Sequence, residues 1–209
     1  MGDGAQVLVV GGAKGIGLAT TQALRSAGYA PIVWDHDAAA LARLGSGTSN
    51  AWIDLGDRLA VTRALADIRA KSTSLYAVVI VAGVHGTCPA EATPDEMLER
   101  VMDINFTAHA RLVRDVIPLM AAGGRIVGLS SIAATIGIPM SSAYSASKAA
   151  LEKFYESLVP ELRERQIWPV IIQPGNVNTG FNETGNDYTD TSSPFLRRHY
   201  SDLVEKIHS

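Results

Sequence analysis

Two side chains four residues apart, Tyr144 and Lys148, could together carry out acid–base chemistry. On a helix, positions i and i+4 lie on the same face, one turn apart. A lysine ammonium beside a phenol favours the phenolate and lowers a pKa that is ordinarily about 10. A tyrosine tuned in this way can exchange a proton with an alcohol or a ketone. The alternative for this spacing alone is a solvated helix face.

A glycine-rich turn near the start of the chain could bind a phosphate group. It follows the apolar run 6–10, which predicts a buried parallel strand, and it leads into a predicted helix. Its spacing is Gly-x-x-x-Gly-x-Gly, at Gly11, Gly15 and Gly17. Glycines let the backbone approach a pyrophosphate, and the free N–H groups of the helix N-terminus attract the anion. The alternative is an ordinary turn, because many turns contain glycine.

An acidic residue, Asp35, ends the second predicted strand and bears on the choice of cofactor. A carboxylate in this place can accept hydrogen bonds from the ribose hydroxyls of NAD, and it would repel the 2′-phosphate of NADP. The alternative is that Asp35 caps the short helix that follows it.

Strands and helices alternate along the chain, which predicts an α/β fold with a doubly wound parallel sheet and helices on both faces. The predicted strands are 6–10, 30–34, 50–53, 76–82, 124–130 and 168–173. The predicted helices are 15–27, 37–43, 57–71, 94–121 and 142–165. In such a sheet, ligands bind at the edge formed by the carboxyl ends of the strands.

The composition argues against several classes of protein. The chain has 209 residues, a net charge of -3 and one cysteine, Cys88, so an internal disulfide is impossible. We therefore expect a reducing, cytoplasmic environment. There is no basic cluster that would indicate nucleic acid, and no apolar run long enough to cross a membrane. We expect neither of these partners, and we predict no metal site.

Further motifs resemble those of the short-chain dehydrogenase/reductase family, of which the glycine spacing and the tyrosine–lysine pair are typical. Asn105 lies where the family carries its catalytic asparagine. Ser131, thirteen positions before Tyr144, lies where the family carries its catalytic serine. Residues 174–179, Pro-Gly-Asn-Val-Asn-Thr, resemble the family's Pro-Gly-x-Val-x-Thr segment. The resemblance covers about residues 5–180 and implies a Rossmann-type, three-layer α/β/α fold with six strands.

The resemblance implies an oxidoreductase that transfers hydride between NAD(P) and a secondary alcohol or ketone. Tyr144 would be the general acid/base, and Lys148 would lower its pKa and bind the nicotinamide ribose. Ser131 would orient the substrate oxygen, and Asn105 would hold a water that links Lys148 to solvent. The predicted cofactor-binding residues are Gly11, Lys14, Gly15, Ile16, Gly17, Asp35, Asp54, Leu55, Ala82, Gly83, Tyr144, Lys148, Pro174, Gly175, Val177 and Thr179.

Two residues of the cofactor set argue in opposite directions. In this family a basic residue before the second glycine, here Lys14, is associated with NADP, whereas Asp35 favours NAD. Because direct repulsion by Asp35 should outweigh a flexible lysine, we predict NAD, with NADP possible. The resemblance places Asp54 at the adenine ring. The structural alternatives are a solvated Lys14, an Asp54 that caps the helix near Asp57, and a Ser131 satisfied by backbone.

The chain departs from the family in two internal segments. Val10 stands where the family usually has a threonine that tethers the next strand, and Ile80 and Val81 stand where it usually has two asparagines. These changes leave the proton-transfer residues intact. The altered Ile80 and Val81, together with the short C-terminal part, nevertheless favour the alternative function, a non-catalytic nucleotide-binding or scaffold protein with the same fold.

The C-terminal part of the chain is short for this family, whose members usually continue with a helix and a seventh strand. Residues 1–180 would form the nucleotide-binding and catalytic part, and 181–209 a substrate lid of the same domain, or alternatively a linker. The chain would be either a naturally short member or an incomplete one. Without the last strand, we expect a homodimer through helices 94–121 and 142–165.

Apolar residues between 132 and 140 predict a small hydrophobic substrate.

Overall fold

Strands and helices alternate in the computed structural model, which describes residues 4–45, 48–71, 74–177 and 186–187. The strands are β1 Gln6–Val10, β2 Ala30–Asp35, β3 Ser49–Trp52, β4 Leu75–Ile80, β5 Gly86–Thr87, β6 Met120–Leu129, β7 Trp168–Ile172 and β8 Asn186–Asp187. The helices are α1 Gly15–Ser26, α2 Ala38–Ala42, α3 Arg58–Ala70, α4 Asp95–Met102, α5 His109–Val116 and α6 Ser142–Glu161. A π-helical segment, Asp103–Ala108, joins α4 to α5.

Six strands form one parallel sheet in the order β3-β2-β1-β4-β6-β7. This confirms the predicted six-stranded, doubly wound sheet. The strand order reverses direction between β1 and β4, and a crevice for a ligand opens at such a switch point. The carboxyl ends of the central strands are in register, with Val10 paired to Trp34 on one side and to Ile80 on the other.

The central strand β1 shows why its sequence is continuously apolar. Leu8 and Val10 pack into one buried cluster with residues of α5 and α6, such as Leu112. Val7 and Val9 point to the opposite face and pack into a second cluster with residues of α2. Side chains alternate between the two faces of a strand, so a strand covered by helices on both faces has no polar position.

The predicted helix 94–121 is wrong in its extent. It is interrupted by the π-helical segment, and α5 ends at Val116, followed by a 3-10 turn over Ile117–Leu119. Pro118 has no backbone N–H to continue the α-helical ladder. Strand β6 then begins at Met120 rather than 124, with a register shift along its pairing to β4 at the place where Gly123 adopts a φ of +80°. The second helix proposed for the dimer, 142–165, ends at Glu161, and the dimer itself stays a prediction.

The edge strand β7 exposes apolar side chains. Trp168, Val170 and Ile172, which alternate along the strand and share one face, are 50%, 38% and 46% exposed. Among the described residues, β6 is the one strand that pairs with β7.

Within the residues that the structure describes, no helix is both long enough and apolar enough to pass through a bilayer.

Helices α5 and α6 are joined by a buried polar pair. The Nε2 atom of His109 lies 2.9 Å from the Tyr155 hydroxyl, and the two rings meet edge to face. His109 is 1% exposed. Burial, with a smaller contribution from the charge of Lys148, lowers the pKa of His109 to about 3. The imidazole is therefore neutral in the folded protein at neutral pH.

This histidine should make the fold sensitive to acid. The unfolded chain takes up a proton on His109 near pH 6.5, whereas the folded chain does so only near pH 3, so the unfolding free energy falls as the pH drops between these values. In urea titrations, we expect the wild type to lose about 2 kcal/mol more than His109→Gln between pH 6.5 and pH 4.5. Parallel curves for the two proteins would contradict the assignment.

Candidate active site

The predicted site residues follow the carboxyl ends of the strands. Gly11 follows β1, Asp35 ends β2, Gly83 comes after β4, Ser131 after β6 and Pro174 after β7. Because the sheet is parallel throughout, all these positions lie along one edge. The structure therefore brings together segments that lie far apart in the sequence, and it does so at the edge where ligands bind in this fold class.

The glycine-rich turn depends on the absence of side chains. Gly11 has a φ of +77°, and a Cβ built on it would lie 2.7 Å from the backbone nitrogen of Ala82. A Cβ on Gly17 would overlap the carbonyl oxygen of Gly11. Gly15, with a φ of +50°, also adopts the left-handed region. The turn therefore packs closely against α1 and against the loop after β4.

The N-terminus of α1 fits an anionic group such as a dinucleotide pyrophosphate. Lys14 is its N-cap residue, and within the described residues no side chain caps the helix. The first turn, which contains Gly15, Ile16 and Gly17, has no acidic residue. The backbone N–H groups and the positive end of the helix dipole are therefore available to a phosphate.

Asp35 is held between two backbone amides. Its Oδ2 accepts a hydrogen bond from the nitrogen of Ala13 at 2.9 Å, and its Oδ1 accepts one from the nitrogen of Asp37 at 3.1 Å. The residue that caps α2 is Asp37, whose Oδ1 accepts from the nitrogen of Ala40 at 2.8 Å. Asp35 is thus not the helix cap that the alternative supposed. It lies at the end of β2, beside the glycine-rich turn.

Lys14 forms an ion pair that the sequence analysis did not anticipate. Its Nζ lies 2.8 Å from the Oδ2 of Asp37. The hydrogen bond from Lys14, with that from the backbone of Ala40, lowers the pKa of Asp37 to about 2. The carboxylate is therefore ionised at neutral pH, and the lysine charge has a fixed partner.

The two predicted cofactor-binding residues after β3, Asp54 and Leu55, differ in their exposure to solvent. Asp54 is exposed, and its Oδ1 accepts a hydrogen bond from the nitrogen of Gly56 at 2.9 Å. Leu55 is buried in the larger core cluster. The cap of α3 is Asp57, whose Oδ1 accepts from two backbone nitrogens, so Asp54 is not the cap.

The tyrosine–lysine pair lies on α6, as predicted. Tyr144 forms a hydrogen bond with Ser131, which also accepts one from the nitrogen of Ala133 at 3.2 Å. The Nζ of Lys148 lies 5.7 Å from the centre of the Tyr144 ring and donates to the carbonyl oxygen of Leu129 at 2.7 Å. The three polar groups therefore form one cluster at the ends of β6 and α6.

The predicted direction of the tyrosine pKa is wrong in this structure. Burial raises the pKa of Tyr144, and the hydrogen bond with Ser131 offsets this only in part. Burial also lowers the pKa of Lys148 to about 8, because the ammonium is almost completely removed from solvent. Desolvation disfavours the charged form of either residue. The proximity of a lysine alone was therefore an insufficient guide to the pKa.

Asn105 fixes the loop after β4 to α6. Its Oδ1 accepts from the nitrogen of Val84 at 2.8 Å, and its Nδ2 donates to the oxygen of Val84 at 2.9 Å and to the Oγ of Ser147 at 3.0 Å. A Cβ on Gly83 would lie 3.2 Å from the Asn105 Oδ1 and 3.5 Å from the Lys148 Nζ. The π-helical segment, a feature frequent at functional sites, carries this asparagine inward, where it is fully buried.

Comparison with known proteins decides the family. A family model described as short chain dehydrogenase matches residues 5–189. The chain belongs to the short-chain dehydrogenase family. It is an oxidoreductase of this family, whose members use NAD(P).

Several known proteins are similar to this chain over most of its length. The 2-dehydro-3-deoxy-L-rhamnonate dehydrogenase (NAD(+)) of Sphingomonas sp. strain SKA58 is 36% identical over 80% of this chain and 70% of its own length. The 3-ketodihydrosphingosine reductase of Bacteroides thetaiotaomicron is 29% identical over 91% of this chain and 73% of its own. A short-chain dehydrogenase structure from Streptomyces avermitilis superposes with a TM-score of 0.85 at 26% identity, covering 99% of this chain and 78% of that one. The structure of BdcA in complex with NADPH has a TM-score of 0.79 at 26% identity, covering 94% and 78%.

In this short-chain dehydrogenase, the altered segments after β1 and β4 are joined through the backbone. The carbonyl oxygen of Val10 accepts hydrogen bonds from the nitrogens of Val81 at 2.8 Å and Ala82 at 3.0 Å. The family's threonine hydroxyl is therefore not required for contact between these two strand ends. Ala82 and Gly83 are positioned beside the glycine-rich turn by these bonds.

One residue near the site was missed by sequence reasoning. The ring of His85 meets the ring of Tyr144 edge to face at 4.8 Å, and its Nε2 lies 3.2 Å from the Oγ of Ser141. The signal was available, because His85 comes two residues after Gly83 in a loop at the ligand-binding edge. A second missed contact is that of Glu152, which accepts from the Ser130 hydroxyl at 2.7 Å, one turn beyond Lys148.

The segment after β7 is only partly described. The oxygen of Pro174 accepts from the nitrogen of Ile132 at 3.1 Å, which ties this segment to the turn after β6. Gly175 and Val177 are exposed at the same edge. Thr179, and all of the predicted lid over 181–209 except 186–187, lie outside the described residues.

Proposed function

We propose that this protein interconverts a small hydrophobic secondary alcohol and its ketone, with Tyr144 as the general acid/base and NAD as the preferred cofactor. The observation that carries the proposal is the cluster of Tyr144, Ser131 and Lys148 beside Gly83, at the edge where the glycine-rich turn opens. A proton-transfer group thus lies near a backbone surface on which a nicotinamide ring could rest.

The proton path follows from these contacts. When bound, NAD(P) supplies or takes up the hydride, and the protein handles the proton. In oxidation, the C–H bond of the alcohol gives up its hydride and the hydroxyl gives its proton to the Tyr144 phenolate, leaving the ketone. In reduction, the Tyr144 hydroxyl donates that proton to the carbonyl oxygen. The Ser131 hydroxyl, already bonded to Tyr144, orients the substrate oxygen and stabilises charge on it.

Lys148 and Asn105 support this exchange without contacting the substrate. The Lys148 ammonium lies near the Tyr144 ring, so its charge favours the phenolate once the proton has left. Asn105 locks the loop of Val84 to Ser147 on α6, and so it fixes the distance between Gly83 and Lys148. We propose that these residues hold the acid/base in place relative to the bound nicotinamide.

The preference for NAD rests on Asp35. Its carboxylate ends β2, where the ribose of a dinucleotide lies in this fold, and both of its oxygens are already oriented by backbone amides. A second negative charge, the 2′-phosphate of NADP, would be repelled there. The Sphingomonas relative, whose name specifies NAD(+), is in keeping with this preference.

The apolar character of the substrate rests on the turn after β6. Ile132 and Ile136 are 47% and 56% exposed, an unusual exposure for such side chains beside a catalytic cluster. Met140 and Ala133 in the same segment are buried. An apolar surface of this kind favours a hydrophobic alcohol or ketone.

Titration of the purified protein with NADH and NADPH tests the cofactor assignment. We expect tighter binding of NADH, because Asp35 accepts from the ribose hydroxyls and repels a phosphate. In Asp35→Ser, which keeps a hydrogen-bond acceptor for Ala13, NADH affinity should fall about tenfold while NADPH affinity should not fall. Tighter NADPH binding by the wild type would overturn the preference. Binding of neither nucleotide would favour the non-catalytic alternative in its scaffold form.

A further inference from the structure

We propose that Asp37 sets the cofactor preference by forming an ion pair with Lys14, which keeps the lysine ammonium from binding the 2′-phosphate of NADP. This inference rests on the proposed nucleotide site. Asp35 is the residue whose carboxylate is expected to read the ribose. Asp37 would act indirectly, without contacting the cofactor, through the only direct ion pair that Lys14 forms within the described residues.

The position of Asp37 is fixed from three directions. Its Oδ2 pairs with the Lys14 Nζ at 2.8 Å, and its Oδ1 accepts from the nitrogen of Ala40 at 2.8 Å as the cap of α2. Its own backbone nitrogen donates to the Oδ1 of Asp35 at 3.1 Å. The glycine-rich turn and the turn after β2 are therefore joined through one carboxylate, next to the group expected to read the ribose.

The charges at this place explain the effect. Lys14 lies at the N-cap of α1, and 48% of its side chain is exposed, so its ammonium would be accessible to a phosphate if it had no partner. A phosphate on the ribose would then have a cation beside it, which is how this fold accommodates NADP. With Asp37 present, the phosphate must compete with a carboxylate whose pKa of about 2 keeps it charged. Arg43 also contributes a weaker favourable charge to Asp37.

Two mechanisms could give Asp37 this influence, and they differ in their dependence on Lys14. If Asp37 acts by holding Lys14, its charge matters only while the lysine is present. If Asp37 repels the phosphate directly, its charge matters with or without the lysine. The structure favours the first, because the carboxylate oxygen that the helix cap leaves open faces the Lys14 Nζ at hydrogen-bond distance.

A double-mutant cycle separates these mechanisms. The variant Asp37→Asn removes the charge, and asparagine remains a good N-cap for α2. The Kd of NADPH and of NADH would be measured by fluorescence titration for the wild type, D37N, K14M and the double variant. We expect D37N to tighten NADPH about tenfold and to change NADH less than twofold, whereas D37N in the K14M background should leave NADPH unchanged.

A matched control is available at the next helix. Asp57 caps α3 through the same kind of contact, so Asp57→Asn makes the same chemical change at a helix cap without altering an ion pair to the glycine-rich turn. Equal ratios of NADPH to NADH affinity in D37N and the wild type would overturn the proposal, as would equal tightening of NADPH with and without Lys14. If the wild type binds neither nucleotide, the proposed function and the role of Asp37 both fail. If the wild type binds both nucleotides and D37N leaves the ratio of their affinities unchanged, only the role of Asp37 is overturned.

Discussion

Tyr144→Phe is expected to lose about a thousandfold in turnover while it keeps its affinity for NADH, because proton transfer by a positioned side chain contributes about 10² to 10⁴ in rate. The substitution removes one oxygen from a half-buried ring and leaves its packing in place, so the fold should be preserved. The phenyl ring still fills its place against His85. Turnover would be measured on a panel of secondary alcohols and ketones, using whichever compound the wild type converts.

The pH dependence of the same reaction gives a second readout. Burial raises the pKa of Tyr144, so at neutral pH only a small fraction of the tyrosine is the phenolate that oxidation needs. As long as the pH stays below this pKa, that fraction rises about tenfold for each unit of increase in pH. Oxidation by the wild type should therefore rise with pH, and the residual rate of Tyr144→Phe should not follow that rise. Tyr29→Phe serves as a control, because Tyr29 lies at the amino end of β2, away from the carboxyl ends of the strands where the candidate site lies. Wild-type turnover in Tyr144→Phe would contradict the proposed role.

Gly17→Ala is expected to lower NADH affinity about hundredfold and to destabilise the fold by about 1–3 kcal/mol. The added methyl group would overlap the carbonyl oxygen of Gly11. Gly11 cannot easily yield, because its nitrogen donates to the Trp34 carbonyl at 2.7 Å and its Cα faces the backbone of Ala82. The turn would have to open, and the backbone N–H groups would leave the positions that suit a pyrophosphate.

Calorimetric titration with NADH and thermal unfolding would measure both effects. Gln22→Ala, an exposed position on the same helix, controls for a general effect of substitution in α1. An unchanged NADH affinity in Gly17→Ala would show that the nucleotide does not depend on the geometry of this turn. An unchanged melting temperature would show that the backbone relaxes more readily than its contacts indicate.

The sheet was predictable from local patterns. The apolar segments that became β1, β2 and β4 are short and β-branched, and their ends lie within two residues of the predicted ones. The region from Asp95 to Leu129 was less predictable. A π-helical segment closes i→i+5 hydrogen bonds within an otherwise α-helical stretch, which the apolar pattern alone does not reveal, and strand β6 begins before the glycines at 123 and 124, with a register shift there. These outcomes depend on partners that a local pattern does not contain.

The candidate site shows the same division. The spacing of Tyr144 and Lys148 placed both on one helix, and the glycine pattern located the turn at α1. The direction of the Tyr144 pKa was predicted wrongly, because the pKa depends on burial by the surrounding elements. The pairing of Lys14 with Asp37 was not foreseen, since the two residues are brought together only when β1 and β2 lie side by side.

The exposed face of β7 has a consequence for the behaviour of the protein in solution. Edge strands present unpaired backbone groups to any chain that can align with them, and many proteins blunt such edges with charged side chains. Here Trp168, Val170 and Ile172 add an apolar face to the edge. Within the described residues, β7 therefore combines an apolar face with backbone groups that no further strand pairs, so any association through this edge would be a local property of its five residues.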